Sequence, residues 1–114
     1  MSEKDLDALA NHTISRDRFT TAELAKEVAA LGPRWTIADN QLRLALRGPM
    51  TRTGAAAAYA GQLADELDHH PSIVLEYAGM TLTIYTHDRQ AITVLDLVYG
   101  ARLEKWLREN GWPT

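Results

Sequence analysis

The chain has 114 residues, a formal net charge of −3 and no cysteine, which fits a single domain with a modest core and leaves no room for disulfide or thiolate chemistry. The acidic balance and the lack of a basic cluster argue against nucleic-acid binding, whose sequence-independent energy comes from neutralised phosphates. No apolar run approaches the roughly 20 residues that a membrane span needs, and the opening MSEKDLDALANH lacks the basic start and apolar centre of a signal peptide, so the expected compartment is the cytoplasm.

Residues 1–18 are polar and carry no sustained period, although Leu6 and Leu9 allow one helical turn. They are expected to form a loose extension ahead of a domain spanning residues 19–114. His12 within them is expected to be a solvated surface histidine. Thr20 and Glu23 have capping-box spacing, and Leu24, Val28 and Leu31 then recur at helical intervals up to Gly32 and Pro33. From Trp35 the period changes to two. Trp35 and Ile37, then Leu42, Leu44 and Leu46, alternate with polar neighbours on either side of an Asp39–Asn40 turn, the pattern of a β-hairpin. Arg43 and Arg47 fall on its opposite face.

Helical spacing returns after Pro49. Ala56, Tyr59, Ala60, Leu63, Ala64 and Leu67 form one stripe whose small residues would let the helix lie close to a sheet, with Thr51 or Thr53 as its cap. Pro71 disfavours helical geometry at His70, so the helix should stop near His69. A second hairpin follows, with Ile73, Leu75 and Tyr77 alternating before an Ala78–Gly79 turn and Met80, Leu82 and Ile84 after it. Counting by two from Thr81 places His87 on the face opposite Met80. The last helix starts at Thr93, with Asp96 as its cap partner, and runs to about Glu109. It carries two apolar stripes. One is Val94, Leu97, Val98 and Ala101; the other is Leu95, Tyr99, Leu103 and Trp106. A surface helix needs one stripe for its own core, so the second points to a partner chain. The order α-β-β-α-β-β-α predicts an α+β two-layer domain, a four-stranded antiparallel sheet with three helices on one face.

Three of the four histidines, His69, His70 and His87, lie within this second half. Imidazole donates and accepts protons near neutral pH, and a pair flanking one substrate can run an elimination, one ring removing a proton while the other protonates the departing hydroxyl. Asp65, four residues before His69, could orient an imidazole. Zinc is the rival chemistry, since three imidazoles can hold it with an open fourth position, but adjacent histidines diverge and the usual i, i+4 pair is missing. A purely structural alternative has His70 at the corner, His69 packed and His87 on the surface.

The spaced set Asp65, His69, His70, Pro71, Tyr77, His87 and Asp96, with the run Thr86-His87-Asp88 before the last helix, resembles the pterin-4a-carbinolamine dehydratases. Trp35 and Tyr59 extend the likeness backward, to about residues 20–108. The resemblance implies the fold above, dimers often paired into tetramers, and loss of water from 4a-hydroxytetrahydropterin to give quinonoid dihydropterin. It implies a pterin site lined by His69, His70 and His87. His69 and His87 would be the acid/base pair, His70 would bind and orient, Asp65 would support, and Asp96 would mainly cap the last helix. Neither metal nor bound cofactor is expected. The chain departs from the family pattern at Gln90–Thr93, where relatives carry a glycine at the position of Ala91, and at Ile73, where many have Trp. A residue with a Cβ at position 91 would alter the loop if the backbone there needed positive φ. The alternative function is a non-catalytic interaction or assembly factor on the same scaffold, such as a Rubisco assembly factor. A third is dehydration of a different pterin.

Overall fold

The computed structural model describes residues 3–113. The elements are α1 (Glu3–Ala10), α2 (Thr21–Leu31), β1 (Trp35–Ala38), β2 (Gln41–Arg47), α3 (Met50–Leu67), β3 (Ser72–Glu76), β4 (Gly79–Ile84) and α4 (Val94–Glu109). The strands form one antiparallel sheet in the order β1-β2-β4-β3, and the chain is an α+β domain as the patterning implies. The two hairpins join through their second strands. Leu44 pairs with Leu82, and Leu46 with Met80, so the apolar faces of both hairpins become one surface.

That surface is the core. Leu42, Leu44, Leu46, Met80, Leu82 and Ile84 are buried, while Arg43, Ala45 and Arg47 between them are exposed. The alternation follows from the pleat, which sends successive side chains to opposite faces. Ala56, Ala60 and Ala64 of α3 are fully buried. At Gly100 of α4 an added Cβ would stand 3.1 Å from Leu31, 3.2 Å from Leu42 and 3.5 Å from Trp35. Its lack of a side chain lets α4 cross close over α2 and the first hairpin.

The local signals behave as read where they involve a few adjacent residues. Thr20 and Glu23 form the full capping box, with Glu23 N–H on Thr20 Oγ1 at 3.1 Å and Thr20 N–H on Glu23 Oε1 at 2.9 Å. Those bonds hold the Glu23 carboxyl below its ordinary range. Asp39 and Asn40 both adopt left-handed geometry, φ 52 and 61, which gives the two-residue hairpin the primed turn that matches strand twist.

Other expectations are corrected. Neither Thr51 nor Thr53 caps α3. The cap position is Pro49, without a side-chain hydrogen bond. In the second hairpin Glu76 pairs with Gly79, so Tyr77 and Ala78 form the turn and Gly79 belongs to β4. Its glycine serves a close approach, since a Cβ there would lie 2.6 Å from the Leu46 carbonyl oxygen. Tyr77 is 93% exposed, at the tip of the turn.

The largest correction concerns the two ends. Residues expected to be a loose extension contain a fourth helix, α1, docked on α4 with Leu6, Leu9 and Ala10 buried. Arg102 of α4 donates to the Ala10 carbonyl at 3.0 Å, and Lys105 pairs with Asp7 at 2.8 Å. The second stripe of α4 is therefore satisfied within the chain. Leu95, Tyr99 and Leu103 are buried. Tyr99 donates its hydroxyl to the Ala60 carbonyl at 2.7 Å, and burial pushes that hydroxyl up, away from ionisation. Trp106 is partly buried and stacks on Tyr59, ring centroids 5.1 Å apart. This stripe gives no warrant for a partner chain. Among the described residues no helix is long and apolar enough to cross a membrane.

Candidate active site

The site forms where α3 ends, β4 ends and α4 begins. The end of α3 is set by Asp68, which turns left-handed at φ 48. The His69 N–H then bonds the Ala64 carbonyl at 3.0 Å and the Asp68 N–H bonds that of Asp65 at 3.4 Å. This is a Schellman closure, normally the place of glycine. It takes the chain off the helix one residue before His69, so helical spacing no longer applies to either histidine.

His69 turns inward. Its Nε2 lies 2.5 Å from Asp96 Oδ1, and its side chain is only 10% exposed. Asp96, fully buried, is the hub. Its Oδ2 accepts the Thr93 N–H at 2.8 Å and the Thr86 hydroxyl at 2.8 Å. Thr86 and Thr93 hydroxyls are themselves 2.7 Å apart. Since Thr86 donates to Asp96, its oxygen accepts from Thr93. A buried polar group left unpaired is costly, and among the described residues no buried side-chain nitrogen or oxygen lacks a partner. Asp96 therefore caps α4 as expected and also holds His69, a second role that spacing did not reveal.

Asp65 orients a histidine, but a different one. Its Oδ1 lies 3.0 Å from His70 Nε2, both side chains well exposed. The expected support of His69 by Asp65 is thus replaced by two separate pairs, His69 with Asp96 and His70 with Asp65. His87 follows Thr86 at the start of a turn beyond β4. It is exposed and lies against Tyr85, ring centroids 4.2 Å apart. No hydrogen bond joins it to His69 or His70. The link is through the backbone, because the Asp96 carboxylate ties His69 to the residue next to His87. Among the described residues no three His, Asp or Glu side chains are grouped to hold a metal ion.

Chemically, the Asp96 bond fixes the orientation of the His69 ring. With Nε2 donating to the carboxylate, Nδ1 of the neutral ring is the nitrogen that can take a proton. The loop beside it, 86–91, is closed by Thr86 N–H to Ala91 O at 2.9 Å and Ala91 N–H to Thr86 O at 3.4 Å. The left-handed residue in this loop is Gln90, φ 49, and not Ala91. The absence of glycine at position 91 therefore imposes no positive-φ strain there.

A sequence model described as pterin 4 alpha carbinolamine dehydratase matches residues 17–106, and the chain belongs to that family. A provisionally named pterin-4-alpha-carbinolamine dehydratase of Prochlorococcus marinus is 35% identical over 85 residues, covering 68% of this chain and 81% of that protein. One of Streptomyces avermitilis, named in the same way, is 31% identical over 84 residues, with 72% and 82% covered. Among solved structures, one titled transcriptional coactivator/pterin dehydratase, from Brucella melitensis, superposes with a TM-score of 0.71 over 78% of this chain and 97% of its own, at 24% identity. It supports the fold. Helix α1 lies outside the residues matched by the family.

Proposed function

We propose that the protein dehydrates a 4a-hydroxytetrahydropterin to the quinonoid dihydropterin. The observation that carries this reading is the buried Asp96 carboxylate holding His69 beside the turn that begins with His87. A carbinolamine bears hydroxyl and amine on one carbon. Its dehydration needs a base to take the N5 proton and an acid to protonate the 4a hydroxyl; the C4a–O bond breaks, water leaves, and a C4a–N5 double bond forms. Each proton transfer suits an imidazole near neutral pH. His69 and His87 are assigned to these transfers. His70, held by Asp65 on the exposed rim, binds and orients the pterin. No metal or bound cofactor takes part in this scheme.

The test is formation of quinonoid dihydropterin by the purified protein, followed by absorbance against the spontaneous reaction in buffer. The rate is expected to exceed the buffer rate in proportion to protein concentration. A rate equal to buffer overturns the proposal and favours a non-catalytic interaction protein on the same scaffold.

A homo-oligomer belongs to the same proposal, but its surface moves from α4 to the sheet. The face without helices carries Val74, 47% exposed, and the outer strands β1 and β3 carry Ile37 at 44% and Leu75 at 40%. Outer strands offer unpaired backbone groups to a second copy. Sedimentation is expected to show at least a dimer at micromolar concentration. A monomer under those conditions defeats this part.

A further inference from the structure

The segment between α1 and α2 lies against both the His87 turn and the start of α4. Its Asp17 carbonyl accepts the Val94 N–H at 3.1 Å and its Ser15 carbonyl the Leu95 N–H at 2.9 Å. These first-turn N–H groups have no partner within their own helix, so residues 15–17 are anchored on the helix that carries Asp96. Arg18 bridges to Thr93 in the next position. Its guanidinium then reaches the turn, where Nη2 donates to the Arg89 carbonyl at 2.6 Å. Arg16 approaches Asp88 only at 3.8 Å, with both side chains about half exposed, and such a pair contributes little.

The Arg89 carbonyl and the Gln90 N–H are two ends of one rigid peptide plane. One end is held by Arg18, and the other donates to the His87 carbonyl at 3.2 Å. The orientation of that plane sets φ at Gln90, which is left-handed. A side chain with a Cβ disfavours that geometry, and it persists only where the surroundings over-determine it. We infer that Arg18 is a positioning residue: by clamping the Arg89 carbonyl it keeps Gln90 in its left-handed conformation and thereby fixes the 87–90 turn that carries His87. As far as it concerns catalysis, this rests on the dehydratase reading; as far as it concerns the turn, it does not.

The test compares R18A, Q90N and R18A/Q90N in the full chain. Asparagine enters left-handed geometry more readily than glutamine, so it should remove the need for the clamp. In R18A the NMR signals of the His87 ring and of amides 87–91 are expected to shift while core signals stay. The kcat for 4a-hydroxytetrahydropterin is expected to fall by up to about 10²-fold, as misplacing a reacting group does, with KM little changed. R18A/Q90N is expected to recover both the signals and the rate. Unchanged His87 signals in R18A overturn the inference. So does an equal loss in R18A and the double variant, or a global loss of structure that Q90N does not repair. If the wild-type protein has no dehydratase activity, that reading fails, and the NMR comparison alone still decides the role of Arg18.

Discussion

His69→Ala is expected to slow dehydration of 4a-hydroxytetrahydropterin by about 10²–10⁴-fold, the usual contribution of a positioned acid or base. The substitution removes the ring that Asp96 orients at 2.5 Å. It leaves Asp96 with its bonds from Thr86 and Thr93, so the start of α4 should survive. The reaction proceeds without enzyme, and the rate must be read above buffer. His12→Ala is the control. Among the described residues that ring bonds the neighbouring Thr13 carbonyl alone, at 2.9 Å, and its loss should leave the rate unchanged. A His69→Ala protein within twofold of wild type would remove His69 from the mechanism. Equal losses in both variants would point to a general loss of folded protein. The same assay on His87→Ala decides whether His87 is the second proton-transfer group.

Glu104→Ala is expected to cost about 3–5 kcal/mol of stability, the range for removing one member of a buried charged cluster. Glu104 is 1% exposed. It accepts from Arg34 at 2.7 and 3.1 Å, from Trp35 Nε1 at 2.9 Å and from Arg108 at 2.7 Å. Its loss strands two mostly covered guanidinium groups and one buried indole N–H, and opens a gap where α4 meets β1. The urea midpoint measures this. Exposed Glu109, one turn further on, should change stability by no more than about 0.5 kcal/mol when replaced by alanine. A Glu104→Ala cost below about 1 kcal/mol would mean that the cluster is not the fastening it looks to be.

Much of the fold was legible because its signals are local. The period-two runs around Asp39–Asn40 and around Tyr77–Gly79 specify hairpins, and the spacing Thr20 to Glu23 specifies a helix start. Each rests on residues within a turn or a pleat of one another. Helix α1 was the exception. Leu6, Leu9 and Ala10 have helical spacing, but an isolated helix of eight residues is marginal in water. Its formation depends on docking against α4, which no local pattern announces. The second apolar stripe of α4 is likewise a tertiary matter, since Tyr99 and Trp106 pack on Ala60 and Tyr59 of α3 and so give no sign of a partner chain.

At the site, the sequence by itself determined which side chains were available: three imidazoles, a carboxylate at the end of one helix and a capping carboxylate at the start of another. Asp96 as a cap was readable three residues from Thr93. Only the tertiary structure decided the pairing. The left-handed turn at Asp68 breaks the register that would have joined Asp65 to His69, so His70 takes Asp65 and His69 turns to Asp96, 27 positions away. Spacing carries information only while the backbone keeps one repeat. Past a left-handed residue, the partner of a side chain is set by which elements the core brings together, and here burial of α4 against α3 and the sheet places the carboxylate beside the ring.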